Sequence, residues 1–205
     1  MPFWRPTKPA TRERSTDRLP PGQRVVRGWP VLHEGPIPTF DAATWRLRVW
    51  GEVQRPLALT WDDFQALPRI EEVRDWHCVT TWSKYDNRWG GVSVMELLSR
   101  AGLGPNAKHV LLHCYDELGY TTNLTLDDFA RPENLLATHH DGAPITPEHG
   151  GPVRVIVHHL YAWKSAKWVS GIEVRATDKR GFWEERGYHN RADPWLEERY
   201  SHQEE

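Results

Sequence analysis

Residues 75–89 read DWHCVTTWSKYDNRW and hold one cysteine, Cys78, among three tryptophans, Trp76, Trp82 and Trp89. The chain has one other cysteine, Cys114. A lone thiol in so aromatic a setting has three readings: a small buried hydrophobe, a nucleophile, or a metal ligand. Packing is the commonest of the three. A Cys–His nucleophile is suggested by His77 next door. If the segment around it is extended, however, neighbours 77 and 78 point to opposite faces. A dyad needs side chains within hydrogen-bond reach, so the base would have to be another histidine.

The surroundings narrow the class of protein. At 205 residues and 23.9 kDa the chain is long enough for a substantial core. A net charge of −2 gives no basic field for nucleic acid or an anionic membrane. The unusual number is 12 tryptophans. Each can bury roughly 150–250 Å² of ring, so most are expected in the core and a few around a flat, partly polar ligand. The first 30 residues show neither an apolar signal segment nor a twin arginine, and no stretch is apolar enough to span a bilayer. The expectation is a cytoplasmic protein with reduced thiols, no membrane segment, no nucleic-acid partner, and a monomeric state. Two cysteines cannot build a four-cysteine zinc site.

Along the chain, residues 1–28 read as an irregular arm too polar to bury much surface. WRLRVWGEV, from Trp45, alternates apolar and charged residues as a half-buried strand does. In PLALTWDDFQALP, Thr60 caps a short helix whose first turn carries Asp62 and Asp63. The string L-T-x-D-D-F returns in NLTLDDFARP (123–132), as a repeated capping solution and not a duplicated domain. VSVMELLSRAGLG is the clearest helix, with Ser93 and Glu96 as a capping box and Gly102 as its stop. AKHVLLHCY (107–115), PVRVIVHH (152–159) and KWVSGIEVRA (167–176) read as strands. The tail from 178 to 205 is aromatic and charged, and is expected to pack on the same domain. Strands and helices mix without a βαβ rhythm, so the fold class is α+β, with mixed sheets and short helices. No glycine-rich phosphate loop is present.

Other candidate residues are weaker one by one. His109 and His113 have zinc-like spacing for a helix, but on a strand they sit about 13 Å apart. In HGGPVRVIVHHLYAWKSAKWV (149–169), Arg154, Ser165 and Lys167 could converge with backbone N–H groups on an anion. Solvated charges are the plainer reading of the same residues.

Taken together, HEGPIPTF, WRLRVWGEV…PLALTWDDFQALP, HCVTTWS…WGGVSVMELLSRAG, PEHGGPVRVIV and YAWKSAKWV resemble the molybdopterin-binding domain of the sulfite oxidase family, in that family's order. The resemblance covers residues 29–177. It implies a molybdenum-dependent oxidoreductase with a molybdopterin cofactor, acting on a small molecule and exchanging electrons with a further partner. It implies that Cys78 binds molybdenum through its thiolate, as both metal ligand and catalytic residue, beside the dithiolene sulfurs of the pterin. It further implies that Arg154, Ser165, Ala166 and Lys167 hold the pterin's phosphate, and that His33, Cys114 and His149 touch the cofactor. Sulfite oxidases follow their cysteine with an arginine-rich run. Here VTTWSKYDN stands instead, closer to the C-V-x-x-W-S pattern of the bacterial methionine-sulfoxide reductase catalytic subunit. A small S- or N-oxide is therefore the expected substrate as much as a sulfite-like anion. A domain that carries molybdopterin without turnover of its own, and a Cys78 hydrolase, are the competing readings.

Overall fold

The structure, a computed structural model, describes residues 18–204. Eleven strands and three short helices alternate along these residues. The strands are β1 (Arg24–Val25), β2 (Arg46–Gly51), β3 (Leu57–Thr60), β4 (Ile70–His77), β5 (Trp82–Ser93), β6 (His109–Cys114), β7 (Thr121–Thr125), β8 (Leu135–His140), β9 (Ala143–Pro144), β10 (Arg154–Ile156) and β11 (Val169–Arg175). The helices are α1 (Trp61–Gln65), α2 (Val94–Ala101) and α3 (Leu126–Phe129).

They form two mixed sheets, the α+β architecture the chain pattern predicts. In the first, β5 pairs with β4 on one edge and with β1 and β8 on the other, and β8 continues to β9 and β10. The second has the order β3-β2-β11-β6-β7, with β2 and β11 parallel.

Period-two alternation decides what lies between the sheets and what lies outside them. On β2 the expected alternation holds: Leu47 and Val49 are fully buried while Arg48 is exposed. On β8, Leu136 points into the core between the sheets with Val92, Val155 and Ile172. Its neighbours Leu135 and Ala137 point the other way, into a separate cluster with Trp76, Cys78, Trp82, Trp89 and Ile156. Arg154 lies opposite Ala137 and Ile156 opposite Leu135, so Arg154 projects onto this outer, tryptophan-rich face.

Local signals behave in several ways. Thr60 accepts from the Asp63 amide while the Asp63 carboxylate accepts from the Thr60 amide, a complete capping box. Thr125 accepts from the Asp128 amide in the same manner, so the repeated string is a repeated cap. Ser93 caps α2, but by accepting from Met95. The expected reciprocal bond from Glu96 is absent, because its carboxylate takes Arg100 one turn on. Gly102 ends α2 at φ +66°. The strand expected over 152–159 shrinks to Arg154–Ile156, because the Ser165 hydroxyl accepts from the Val157 amide and ends the ladder there.

Residues 1–17 of the expected arm lie outside the described residues. Within the rest of it, β1 adds to the first sheet beside Trp82 and Ser83. The tail docks through a buried ion pair, Lys164 Nζ to Glu184 at 2.6 Å, with Thr122 and the Trp163 indole also donating to Glu184. Among the described residues no helix is long and apolar enough to cross a membrane.

Candidate cofactor site

A cavity of about 300 Å³ opens on the outer face of the first sheet. Its walls come from the 29–34 loop, the turn after β4, the 116–120 loop, the 162–168 segment and two tail aromatics, Trp183 and Tyr188.

Arg154 is 2% exposed and forms one wall. It donates to the carbonyls of His149 and Ser165, each at 2.7 Å. Its guanidinium lies 4.6 Å from the Trp76 ring centroid and 5.6 Å from that of Trp29. Lys167 donates to the carbonyls of Leu32 and Glu148, at 2.7 and 2.6 Å. Neither cation has a carboxylate within ion-pair distance among the described residues. Burial pulls Arg154 down to about 9. Burial, and then the charge of Arg154, pulls Lys167 down to about 7. Arg154 is buried and Lys167 half-buried; cations withdrawn from water without counter-charge are costly, and a bound anion would relieve both.

The loop before Arg154 explains why HGGP sits where it does. Gly150 has φ +96°, and a Cβ there would come within 2.8 Å of the Lys167 Cβ. Only glycine brings this turn so close to the lysine. His149 gives its carbonyl to Arg154 and stacks its ring on Trp29 at 3.8 Å.

Cys78 also lines the cavity and is 7% exposed. It is the first residue of a turn over residues 78–81: the Thr81 amide donates to the Cys78 carbonyl, and the Cys78 amide to the Trp82 carbonyl. Its Sγ lies 3.1 Å from Thr80 Oγ1. Burial pushes the thiol up, so a thiolate here calls for a cation as partner. His77 faces elsewhere, with Nδ1 2.8 Å from the Ser83 hydroxyl. Burial lowers its imidazole to about 4, and it forms no dyad with Cys78.

Of the residues singled out from the sequence, His33, Cys78, Arg154, Ser165, Ala166 and Lys167 line the one cavity. His149 lies one layer behind, against Trp29. Cys114 does not line it. It ends β6, packs on the core between the sheets, and makes no disulfide with Cys78. His109 and His113 turn to Asp178 and Glu173, at 3.6 and 3.0 Å. Among the described residues no group of three or more His, Cys, Asp or Glu could hold a metal by itself. Trp29, Trp76, Asp116, Tyr120 and Tyr188 line the cavity without having been singled out. The excess of tryptophan was the available signal for the first two.

One thiol and two cations, neither with a carboxylate partner among the described residues, line the same aromatic cavity. The donor set fits a molybdenum-bearing pterin phosphate: one soft thiolate for the metal, two cations for the phosphate.

Residues 34–183 match the oxidoreductase molybdopterin binding domain, and the chain belongs to that family. It is a molybdopterin-dependent oxidoreductase of the sulfite oxidase type. It is 48% identical over 185 residues to the oxidoreductase YuiH of Bacillus subtilis (strain 168), covering 90% of this chain and 92% of that one. It is 27% identical over 160 residues to the protein-methionine-sulfoxide reductase catalytic subunit MsrP of Campylobacter jejuni, covering 71% of this chain and 54% of that one. Its fold is similar to that of the sulfane dehydrogenase SoxCD from Paracoccus pantotrophus, with a TM-score of 0.65 at 20% identity over 71% of this chain and 41% of that one. The chain thus spans nearly all of YuiH and about half of the other two.

Proposed function

We propose that the chain reduces a small S- or N-oxide, with Cys78 as the protein's ligand to molybdenum. The observation that carries this reading is that the Cys78 thiol and the cations Arg154 and Lys167 line one cavity. The name of the MsrP relative and the replacement of an arginine-rich run by VTTWSKYDN favour an oxide over sulfite.

When bound, the metal–pterin group supplies two-electron chemistry coupled to transfer of an oxygen atom. The rest is the protein's part. Arg154, Lys167 and the Ser165-Ala166 backbone hold the phosphate and so orient the cofactor. His33, on a loop tied to Lys167 through the Leu32 carbonyl, closes one side. Trp29, Trp76 and Trp82 exclude water. The Tyr188 hydroxyl has no hydrogen-bond partner among the described residues, and its phenol is raised first by burial. Tyr188 lines the cavity and, as a neutral phenol, would donate a hydrogen bond to the oxygen of a bound oxide. The balance is simple: an oxide takes up two electrons and two protons and leaves as the deoxygenated product and water. The two electrons come from an electron-donating partner, for which a reduced dye can stand in.

The test uses protein made in a host that synthesises molybdopterin. About one molybdenum per chain and dye-coupled reduction of an aryl sulfoxide or amine N-oxide are expected, with Cys78→Ser inactive. Bound molybdenum without turnover of any oxide or of sulfite would leave a cofactor-carrying domain instead. Absence of molybdenum would overturn the assignment of Cys78.

A further inference from the structure

The turn that presents Cys78 is held from outside the family-matched segment. Its Thr81 carries a positive φ of 71°, uncommon for a β-branched residue. Such a conformation persists only when its surroundings over-determine it. Three backbone carbonyls of the turn are engaged by two distant parts of the chain. Gln23 Nε2 donates to the Cys78 carbonyl at 3.1 Å, and the Arg24 amide donates to the Thr81 carbonyl at 3.0 Å. From the other end of the chain, the Arg199 guanidinium donates to the Val79 carbonyl.

Both anchors are themselves fixed. Gln23 Oε1 accepts from the Ser83 hydroxyl, which also meets His77. Arg199 lies 5.0 Å from the Tyr161 ring centroid, with Glu197 3.8 Å away. Residues 23 and 199 both lie beyond the 34–183 match.

We propose that Gln23 and Arg199 are positioning residues that clamp the 78–81 turn and thereby set where the Cys78 sulfur stands in the cavity. The proposal rests on Cys78 being the metal ligand. Its physical content is that two flanking segments, and not the matched domain alone, complete the metal end of the site. Neither side chain touches the cofactor in this account; each acts through the backbone of the turn.

The experiment has two arms. In cofactor-free full-length protein, amide hydrogen exchange is followed for the peptide spanning residues 76–83. Arg199→Ala and Gln23→Ala should each exchange about 10-fold faster there, the loss expected for one strong hydrogen bond on a local opening. Arg199→Lys, which keeps a cationic donor, should recover part of the protection, and the melting temperature should hold. In molybdenum-loaded protein, the signal of the one-electron-reduced metal should shift in both alanine variants while pterin content stays the same. Unchanged exchange at 76–83 would overturn the clamp. Faster exchange with an unshifted metal signal would overturn its role in placing the sulfur. Cys78→Ser is the control: if it too leaves the metal signal unchanged, the ligand reading itself has failed and the positioning role falls with it, while the exchange arm still decides whether the clamp exists.

Discussion

The thiol and the cations of the cavity, its thiol end and its cation end by chemistry, are held on different plans. At the cation end, Arg154 and Lys167 come from residues close together in sequence, and three of their four carbonyl partners, His149, Ser165 and Glu148, lie in the same stretch, with Leu32 the distant one. Charge decides that end. At the thiol end, Cys78 stands on a strained turn whose carbonyls are bonded by residues from near both termini. Geometry decides that one. The difference teaches that retaining the organic cofactor and tuning its metal are separable properties of this protein, and substitutions should divide accordingly.

The largest effect falls at the thiol end. Cys78→Ser should abolish oxide reduction while pterin content, read by fluorescence after release, stays near that of the parent. Serine is a harder ligand with a far higher pKa, so it binds a soft metal poorly at neutral pH. Loss of pterin together with activity would merge the two ends and break the comparison.

At the cation end, Arg154→Ala or Lys167→Ala should weaken cofactor retention roughly 10–100-fold, from about 1.5–3 kcal/mol per charge-assisted contact. Lys167→Met sharpens the contrast. It should lose cofactor comparably, yet leave the melting temperature of the cofactor-free protein little changed, because it removes a half-buried cation that lacks a counter-charge.

A smaller effect follows from pH. In the cofactor-free chain Lys167 is lowered to about 7, by burial and then by Arg154. A bound phosphate favours the charged lysine and raises it, so binding takes up a proton once the pH exceeds about 7. Retention should therefore fall from pH 7 towards 9, measured as the equilibrium dissociation of released pterin. Lys167→Arg should flatten the fall. The smallest effect is that of Cys114→Ser. Cys114 lies outside the cavity, so activity should change by less than about 3-fold, within the small losses expected of a near-isosteric change.

Much of the second sheet is legible in the sequence, because its strands have one buried face and its helices carry local caps. Leu47 and Val49 alternate with charges, and Thr60 and Thr125 announce their helices. The first sheet is harder. β5 contains Gly90 and Gly91 at a register shift, and its SKYDNR stretch looks like loop. β8 reads LLATHH, too short and too uniformly buried to show a period. β1 is two exposed residues that become a strand only through pairing with β5. The site divides the same way. Arg154, Ser165 and Lys167 lie within one compact stretch and could be found together. Trp29, Tyr188, Gln23 and Arg199 come from distant parts of the chain, and only tertiary structure brings them to Cys78.

The central claim is that Cys78 supplies the protein's sulfur to the metal. X-ray absorption at the molybdenum edge tests it most directly, comparing loaded parent protein with loaded Cys78→Ser. The account expects the variant's metal to lose one sulfur neighbour and keep those of the pterin, with Cys114→Ser unchanged from the parent. An identical sulfur shell in parent and Cys78→Ser, or a sulfur lost in Cys114→Ser, would contradict it.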